Sequence, residues 1–217
     1  MRILVVTNGD VDDLAYLEEQ ANVHDMIICV DGAVRHLRPI GITPSILAGD
    51  LDSISAEDLQ WVEEHHIPLL RYETRKDYTD TELALLHAIE KGARHVTMTG
   101  AIGSRIDHTL GNIFLLKLLW NRQVEGTIES ETVEMRIIGK EVNPSWRSGE
   151  TVSFIPISNM VTGLTLLGFE YPLNRATIHL GSSRCISNVI ASDCPVIRVE
   201  KGLLLAIRNK RKEQSLG

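Results

Sequence analysis

The first half of this chain alternates between short apolar runs and longer segments with the composition of helices. Apolar runs suited to buried strands occupy residues 3–6, 26–30, 46–48, 68–72 and 95–99. Helix-like segments occupy residues 10–20, 56–64, 79–91 and 109–120. Strands that alternate with helices in this way predict a parallel sheet with helices on its faces.

From about residue 133 the helical periodicity is lost and short strand-like runs replace it. They occupy residues 135–138, 151–155, 164–167, 176–180, 196–199 and 203–207. This pattern is typical of a small β-sandwich or barrel. We therefore predict an α/β protein with an N-terminal parallel-sheet α/β domain, residues 1–132, and a smaller C-terminal β-sandwich domain, residues 133–217.

The composition argues against several classes of protein. The 217 residues carry a net charge of −7, and the one short basic run, residues 208–212, is interpreted as a solvated end, which argues against nucleic acid as a partner. We find neither an apolar run long enough to span a membrane nor a signal peptide. The three cysteines, Cys29, Cys185 and Cys194, are scattered and odd in number. We therefore expect a cytoplasmic protein without disulfides.

Two carboxylates one residue apart, Asp50 and Asp52, follow the apolar run at residues 46–48. Residues two apart in an extended segment point the same way, and open α/β sheets bind ligands at the carboxyl ends of their strands. Two carboxylates that face one point repel each other unless a cation lies between them, and hard oxygen ligands suit Mg²⁺ or Mn²⁺. The alternative is an acidic turn that leads into a helix with Ser53 as its N-cap.

Glycine and charged residues also follow the second strand and precede the third predicted helix. Asp31 and Gly32 end the second strand, where glycine permits close approach of a ligand, although this pair is also common in turns. Lys76 adds a charge suited to phosphate, and Asp77 and Asp80 flank a helix N-terminus, which attracts anions. The alternative for this segment is helix capping with exposed acids.

A glycine-rich loop follows the fifth strand and opens the longest predicted helix. Gly100 makes this loop flexible, and Arg105 is able to fork onto phosphate oxygens. Asp107 and His108 stand near the helix start. The G-x-G-x-x-G and Walker A patterns are both absent from the sequence. Clusters of Asp, Gly, Lys and Arg thus fall at the same edge of one sheet, as a site for a metal ion and a polyphosphate requires.

In their order along the chain, these segments resemble the motifs of the thiamine pyrophosphokinase family, and of its bacterial members in particular. The matching segments are residues 49–53, 76–82 and 99–108 in the first half and residues 153–156, 163–173 and 182–188 in the second. The resemblance therefore covers nearly the whole chain. Two positions depart from the bacterial motif Ser-Arg-Gly-[Ile/Leu]-Ser-Asn-Glu, because Cys185 replaces its glycine and Val189 its glutamate.

The resemblance implies an enzyme that transfers the terminal diphosphate of ATP to the hydroxyl of thiamine, giving thiamine diphosphate and AMP. It also implies Mg²⁺ as cofactor and a homodimer that binds thiamine where the domains of two subunits meet. The implied metal ligands are Asp50, Asp52 and Asp80, with Lys76 and Asp77 close to the transferring group. We assign Asp31, Gly32, Gly100, Arg105, Asp107 and His108 to the nucleotide side, and Ser183, Ser187 and Asn188 to the thiamine side.

Three alternatives to this enzyme remain open at this point. A phosphatase of the haloacid dehalogenase type would use Asp50 and Asp52 as nucleophile and acid, although its motif usually follows the first strand of the chain and here it follows the third. A metal-dependent glycosyltransferase also uses Asp-x-Asp. A regulator without turnover would bind ATP and thiamine but release no AMP.

Overall fold

The computed structural model describes residues 1–71 and 77–210. The chain divides into two compact units, Met1–Ser130 and Glu131–Gly217. Among the described residues, no helix is long and apolar enough to cross a membrane.

The first unit is a parallel sheet with helices. Its strands are β1 (Arg2–Val6), β2 (Met26–Val30), β3 (Ile46–Gly49), β4 (Leu69–Arg71), β5 (His95–Thr99) and β6 (Glu125–Glu129). Its α-helices are α1 (Leu14–Asn22), α2 (Val34–Leu37), α3 (Ala56–Glu64), α4 (Asp80–Glu90) and α5 (Ile106–Asn121). The strands pair in the order β6-β5-β1-β2-β3-β4, each parallel to its neighbour. The predicted parallel α/β architecture is confirmed.

Buried aliphatic strands and local capping residues explain why these elements form. Leu4, Val6 and Leu47 are fully buried in the sheet, as expected for strands covered on both faces. The Thr79 hydroxyl accepts a hydrogen bond from the backbone N–H of Glu82 and so begins α4. The sheet and its caps therefore place the start of α4 directly beside the carboxyl edge of the strands.

One expectation for this unit was wrong, and one strand was not predicted. The first predicted helix begins at Leu14 rather than at residue 10, because the Asp13 carboxylate caps it by accepting from the backbone N–H of Tyr16. The residues before it, Asp10 included, form a loop. Strand β6 was not predicted, since Ile128 is its one large apolar residue, and it forms because it pairs in parallel with β5.

The second unit is the predicted β-sandwich. Its strands are β7 (Val133–Ile138), β8 (Thr151–Pro156), β9 (Met160–Leu167), β10 (Leu173–His179), β11 (Asn188–Val189), β12 (Val196–Arg198) and β13 (Leu204–Asn209). Within this unit they form two antiparallel groups, β11-β8-β13-β7 and β10-β9-β12. Phe154 of the first group and Leu164, Ile178 and Ile197 of the second belong to one buried core.

A network of buried charged side chains joins strands of the second unit, and one of its members shows that an expectation was wrong. Arg208 was interpreted as part of a solvated basic end, but it lies in β13 and donates hydrogen bonds to Glu134 and Glu150. The indole N–H of Trp146 also donates to Glu134, at 3.3 Å. Each buried carboxylate therefore has a charged partner, which is the condition under which burying such groups is tolerated.

Candidate active site

A cavity of about 690 Å³ opens at the carboxyl edge of the sheet in the first unit. Its walls come from the segments that follow β1, β2, β3 and β5 and from the first residues of α4 and α5. Open parallel sheets bind their ligands at this edge. The fold therefore brings the acidic segment after β3, the start of α4 and the glycine loop after β5 to one place.

Three carboxylates converge in this cavity. Asp31, Asp50 and Asp52 each offer an oxygen atom, and these atoms lie within 4.8 Å of one another. The Asp31 carboxylate accepts the backbone N–H of Leu51 at 3.2 Å, and the Asp50 carboxylate accepts that of Asp52 at 3.2 Å. Asp31 and Leu51 both have positive φ angles, of 45° and 69°. Non-glycine residues seldom adopt such angles except where the surrounding structure enforces them, often at functional sites.

Two glycines make this convergence possible. Gly49 has a φ of 148°, and a Cβ atom at this position would overlap the Asp31 carboxylate. A Cβ on Gly32 would meet the Asn8 amide and the Ser53 carbonyl oxygen. The Gly32 N–H donates to the Ser53 hydroxyl at 3.1 Å. The alternative interpretation of Ser53 as a helix N-cap is therefore wrong, because Ser55 caps α3 and Ser53 ties the loop after β3 to the loop after β2.

The electrostatics of the cluster favour a cation. Partial burial, followed by the nearby charge of Asp80 and then that of Asp50, raises the pKa of Asp31 to about 7, against the hydrogen bond from Leu51, which lowers it. Crowded carboxylates hold their protons more tightly because ionising all of them is costly, and a divalent ion relieves that repulsion. Carboxylate oxygens are the donors that Mg²⁺ prefers. The residues present therefore fit a Mg²⁺ site.

The composition of this cluster differs from the predicted metal set. Asp50, Asp52 and Asp80 were predicted as ligands, whereas the three that converge are Asp31, Asp50 and Asp52. Asp80 lines the same cavity and stands close to Asp31. Asp31 was assigned from the sequence to the nucleotide side. Its position at the end of β2, the strand next to β3, is the sequence signal that could have identified it as a member of the carboxylate cluster.

The glycine loop after β5 is fastened to the loop after β1. The Gly9 N–H donates to the Gly100 carbonyl oxygen at 2.7 Å, and the Asp10 N–H donates to that of Ile102 at 2.8 Å. Gly100 has a φ of 65°, and a Cβ atom on it would overlap the Thr7 carbonyl oxygen. The residues Asn8, Gly9 and Asp10 line the cavity but were not predicted as site residues. Their signal in the sequence is a polar, glycine-containing turn directly after the first strand.

The predicted nucleotide-side residues occupy different positions at the start of α5. Arg105 and His108 line the cavity, and Arg105 pairs with Asp107 at 2.7 Å. Hydrogen bonding from Arg105 lowers the pKa of Asp107. Asp107 itself is not among the described residues that form the cavity wall, and neither is Asp77. Lys76 lies outside the described residues.

The second unit has a cavity of its own, of about 490 Å³, bordered by residues 170–173 and by Arg184, Cys185, Ile186 and Asn188. Asn188 is buried, and its amide exchanges hydrogen bonds with the backbone N–H and carbonyl of Tyr171, at 3.1 and 2.9 Å. Asn188 therefore holds one wall of the cavity in place. Ser183 and Ser187 are exposed and are not among the described residues that line this cavity.

An acidic cavity beside a helix N-terminus, at the carboxyl edge of a parallel sheet, is the geometry of an enzyme that handles phosphate groups. Residues 17–128 match the family model described as thiamin pyrophosphokinase, catalytic domain. Residues 137–204 match the model described as thiamin pyrophosphokinase, vitamin B1 binding domain. The chain belongs to the thiamine pyrophosphokinase family.

Individual relatives agree with this assignment. The chain is 34% identical to the thiamine pyrophosphokinase of Bacillus subtilis over 209 residues, which cover 95% of this chain and 98% of the relative. The crystal structure of the Bacillus subtilis enzyme superposes with a TM-score of 0.87 at 30% identity, covering 97% of this chain and 100% of that one. The structure of the Geobacillus thermodenitrificans enzyme gives a TM-score of 0.85 at 31% identity, covering 98% and 99%.

The family resolves the alternatives left open by the sequence. The expectation of an enzyme of the thiamine pyrophosphokinase family, a transferase of the kinase type, is confirmed. These comparisons give no support to a phosphatase, a glycosyltransferase or a regulator without turnover.

Proposed function

We propose that this enzyme transfers a diphosphate group from ATP to the hydroxyl of thiamine and releases AMP and thiamine diphosphate. The observation that carries this proposal is the convergence of Asp31, Asp50 and Asp52 in the cavity of the unit that matches the catalytic-domain model. Transfer of such groups depends on positioning and on charge neutralisation, with little covalent work for the protein. A site built of carboxylates and helix N-termini suits that task.

We propose Asp31, Asp50 and Asp52 as the residues that would hold Mg²⁺. When bound, Mg²⁺ supplies positive charge that offsets the charge of the phosphates and of the leaving group. Asp80 begins α4 beside Asp31, and we keep it as a further proposed metal ligand. We propose that it also orients the thiamine hydroxyl and accepts its proton. Lys76 and Asp77 keep their assigned place near the transferring group from the family resemblance.

The start of α5 is the proposed nucleotide side. Backbone N–H groups at the N-terminus of a long helix attract phosphate, and Gly100 lets the preceding loop approach a ligand closely. Arg105 and His108 line the cavity from this loop. Asp107 acts in our proposal by orienting the Arg105 guanidinium through their ion pair. Gly32 keeps its assigned place on the nucleotide side, where its backbone lies close to the Asn8 amide and the Ser53 carbonyl oxygen.

We assign ATP and Mg²⁺ to the N-terminal domain, residues 1–132, and thiamine binding and dimerisation to the C-terminal domain, residues 133–217. The match of residues 137–204 to a vitamin B1 binding model supports the second assignment. Ser183, Ser187 and Asn188 remain the proposed thiamine-side residues. The contacts of Asn188 support an indirect role, in which it shapes the cavity wall at Tyr171.

The reaction predicts a specific pair of products. Incubation of the enzyme with ATP, Mg²⁺ and thiamine should yield AMP and thiamine diphosphate in equal amounts, as measured by chromatography. In the Asp52→Asn variant the rate should fall at least about tenfold, because charge held by a metal ion contributes several kcal/mol to such reactions. Formation of ADP and thiamine monophosphate instead would contradict the transfer of a diphosphate group.

The proposed thiamine side predicts that a change there affects the KM for thiamine and not the KM for ATP. Asn188→Ala should raise the KM for thiamine about tenfold, because a lost buried hydrogen-bond partner costs about 1–3 kcal/mol, while the KM for ATP stays unchanged. Asn159→Ala, an exposed amide on the same unit, is the matched control. If the KM for ATP rises in step with that for thiamine, the division between the two sides is wrong.

We also propose that the enzyme is a homodimer. Ile106, Leu110 and Phe114 are spaced four residues apart on α5 and are 72%, 50% and 58% exposed. We propose that a second copy covers this apolar stripe of the first unit in addition to the dimer contacts assigned to the C-terminal domain. Light scattering should give twice the 24.2 kDa mass of one chain, and Leu110→Glu should lower that mass. A wild-type mass of 24.2 kDa would rule out the dimer.

A further inference from the structure

Arg35 is a cation in the active-site cavity that the motifs do not account for. It lies in α2, directly after the turn that carries Asp31, and it lines the same cavity as the three converging carboxylates. Its Nη2 atom donates to the carbonyl oxygens of Asn8 and Gly9, at 2.9 and 3.2 Å. Within residues 1–71 and 77–210, no carboxylate forms an ion pair with Arg35, and its Nη1 atom makes no hydrogen bond.

The charge balance of the cavity calls for such a cation. Three carboxylates and one divalent ion sum to a charge of −1, and the wall also carries Asp10 and Asp80. A nucleotide polyphosphate would bring several further negative charges to this place. Arg105, the other arginine among the described wall residues, is already paired with Asp107.

Holding the loop after β1 does not by itself explain an arginine at this position. The His36 ring also contacts the Gly9 carbonyl oxygen, at 2.9 Å, so a second side chain supports the same backbone. The two carbonyl contacts of Arg35 fix the direction of its guanidinium. They engage Nη2, and Nε lies 3.3 Å from Nε2 of His36, so Nη1 is the nitrogen left open to a ligand. A guanidinium oriented in this way is suited to a phosphate oxygen, to which Nη1 can donate a charge-assisted hydrogen bond.

We propose that Arg35 binds the polyphosphate of the nucleotide substrate in the cavity whose carboxylates would hold the metal ion. This inference rests on the proposed function, because it assumes that a nucleoside triphosphate enters this cavity. It assigns to Arg35 a direct contact with phosphate oxygens, and to its two carbonyl contacts the role of orienting the guanidinium.

The test distinguishes a role of the positive charge of Arg35 in phosphate binding from a role of its side chain in supporting the loop after β1. Arg35→Gln keeps an amide that can donate to the carbonyls and removes the charge, whereas Arg35→Lys keeps the charge. Arg122→Gln removes the same charge at the far end of the 16-residue helix α5 and is the matched control. Since Arg35 is exposed, all three variants should fold, and thermal unfolding checks this. Inorganic triphosphate and adenosine are titrated separately into each variant by calorimetry, without thiamine.

Arg35→Gln should lower the affinity for inorganic triphosphate about tenfold, as expected for one lost charge-assisted contact, and should leave the affinity for adenosine unchanged. Arg35→Lys should recover most of the loss, and Arg122→Gln should match the wild type. Unchanged triphosphate affinity in Arg35→Gln would overturn the proposal. An equal loss for triphosphate and adenosine would also overturn it, since that result indicates loop support alone. Failure to form thiamine diphosphate would count against the proposed function and leave this titration interpretable.

Discussion

The repulsion among Asp31, Asp50 and Asp52 is the constraint around which the first unit is arranged. Strands β2 and β3 are parallel neighbours, and Val30 pairs with Ala48, so the residues that follow the two strands meet at one edge. The Asp31 carboxylate occupies space that only a glycine at position 49 leaves open. A protein gains nothing in stability from crowding carboxylates, so the arrangement points to a cation as the group that stabilises it.

The apolar part of the sheet supplies the rigidity that this crowding needs. Asp31 and Leu51 are held at positive φ angles, and such backbone persists where well-packed surroundings enforce it. Leu4, Val6 and Leu47 are fully buried below the site, and Cys29, one residue before Val30, is buried as well. The close contact between the loops after β1 and β5 then fixes the glycine loop in the wall of the cavity that contains the acidic cluster.

The sequence predicted those features that have strong local signals. The helix predicted at residues 79–91 is α4, Asp80–Glu90. Its ends are set locally, because the capping hydroxyl of Thr79 and the positive φ of Gly92 act within a few residues. Strand β6 was missed because its formation depends on pairing with β5. The place of Asp31 among the converging carboxylates depends on strand order, and the role of Arg35 depends on the position of the loop after β1. Neither is visible in a motif.

The central claim is that Asp31, Asp50 and Asp52 form one divalent-cation site. Crystals of the wild-type enzyme grown with Mn²⁺ and a non-hydrolysable ATP analogue, with data collected to show the anomalous signal of manganese, test it directly. We expect an anomalous peak within about 2.5 Å of a carboxylate oxygen of each of the three residues. An empty cavity, or a Mn²⁺ ion out of reach of Asp31, would contradict it.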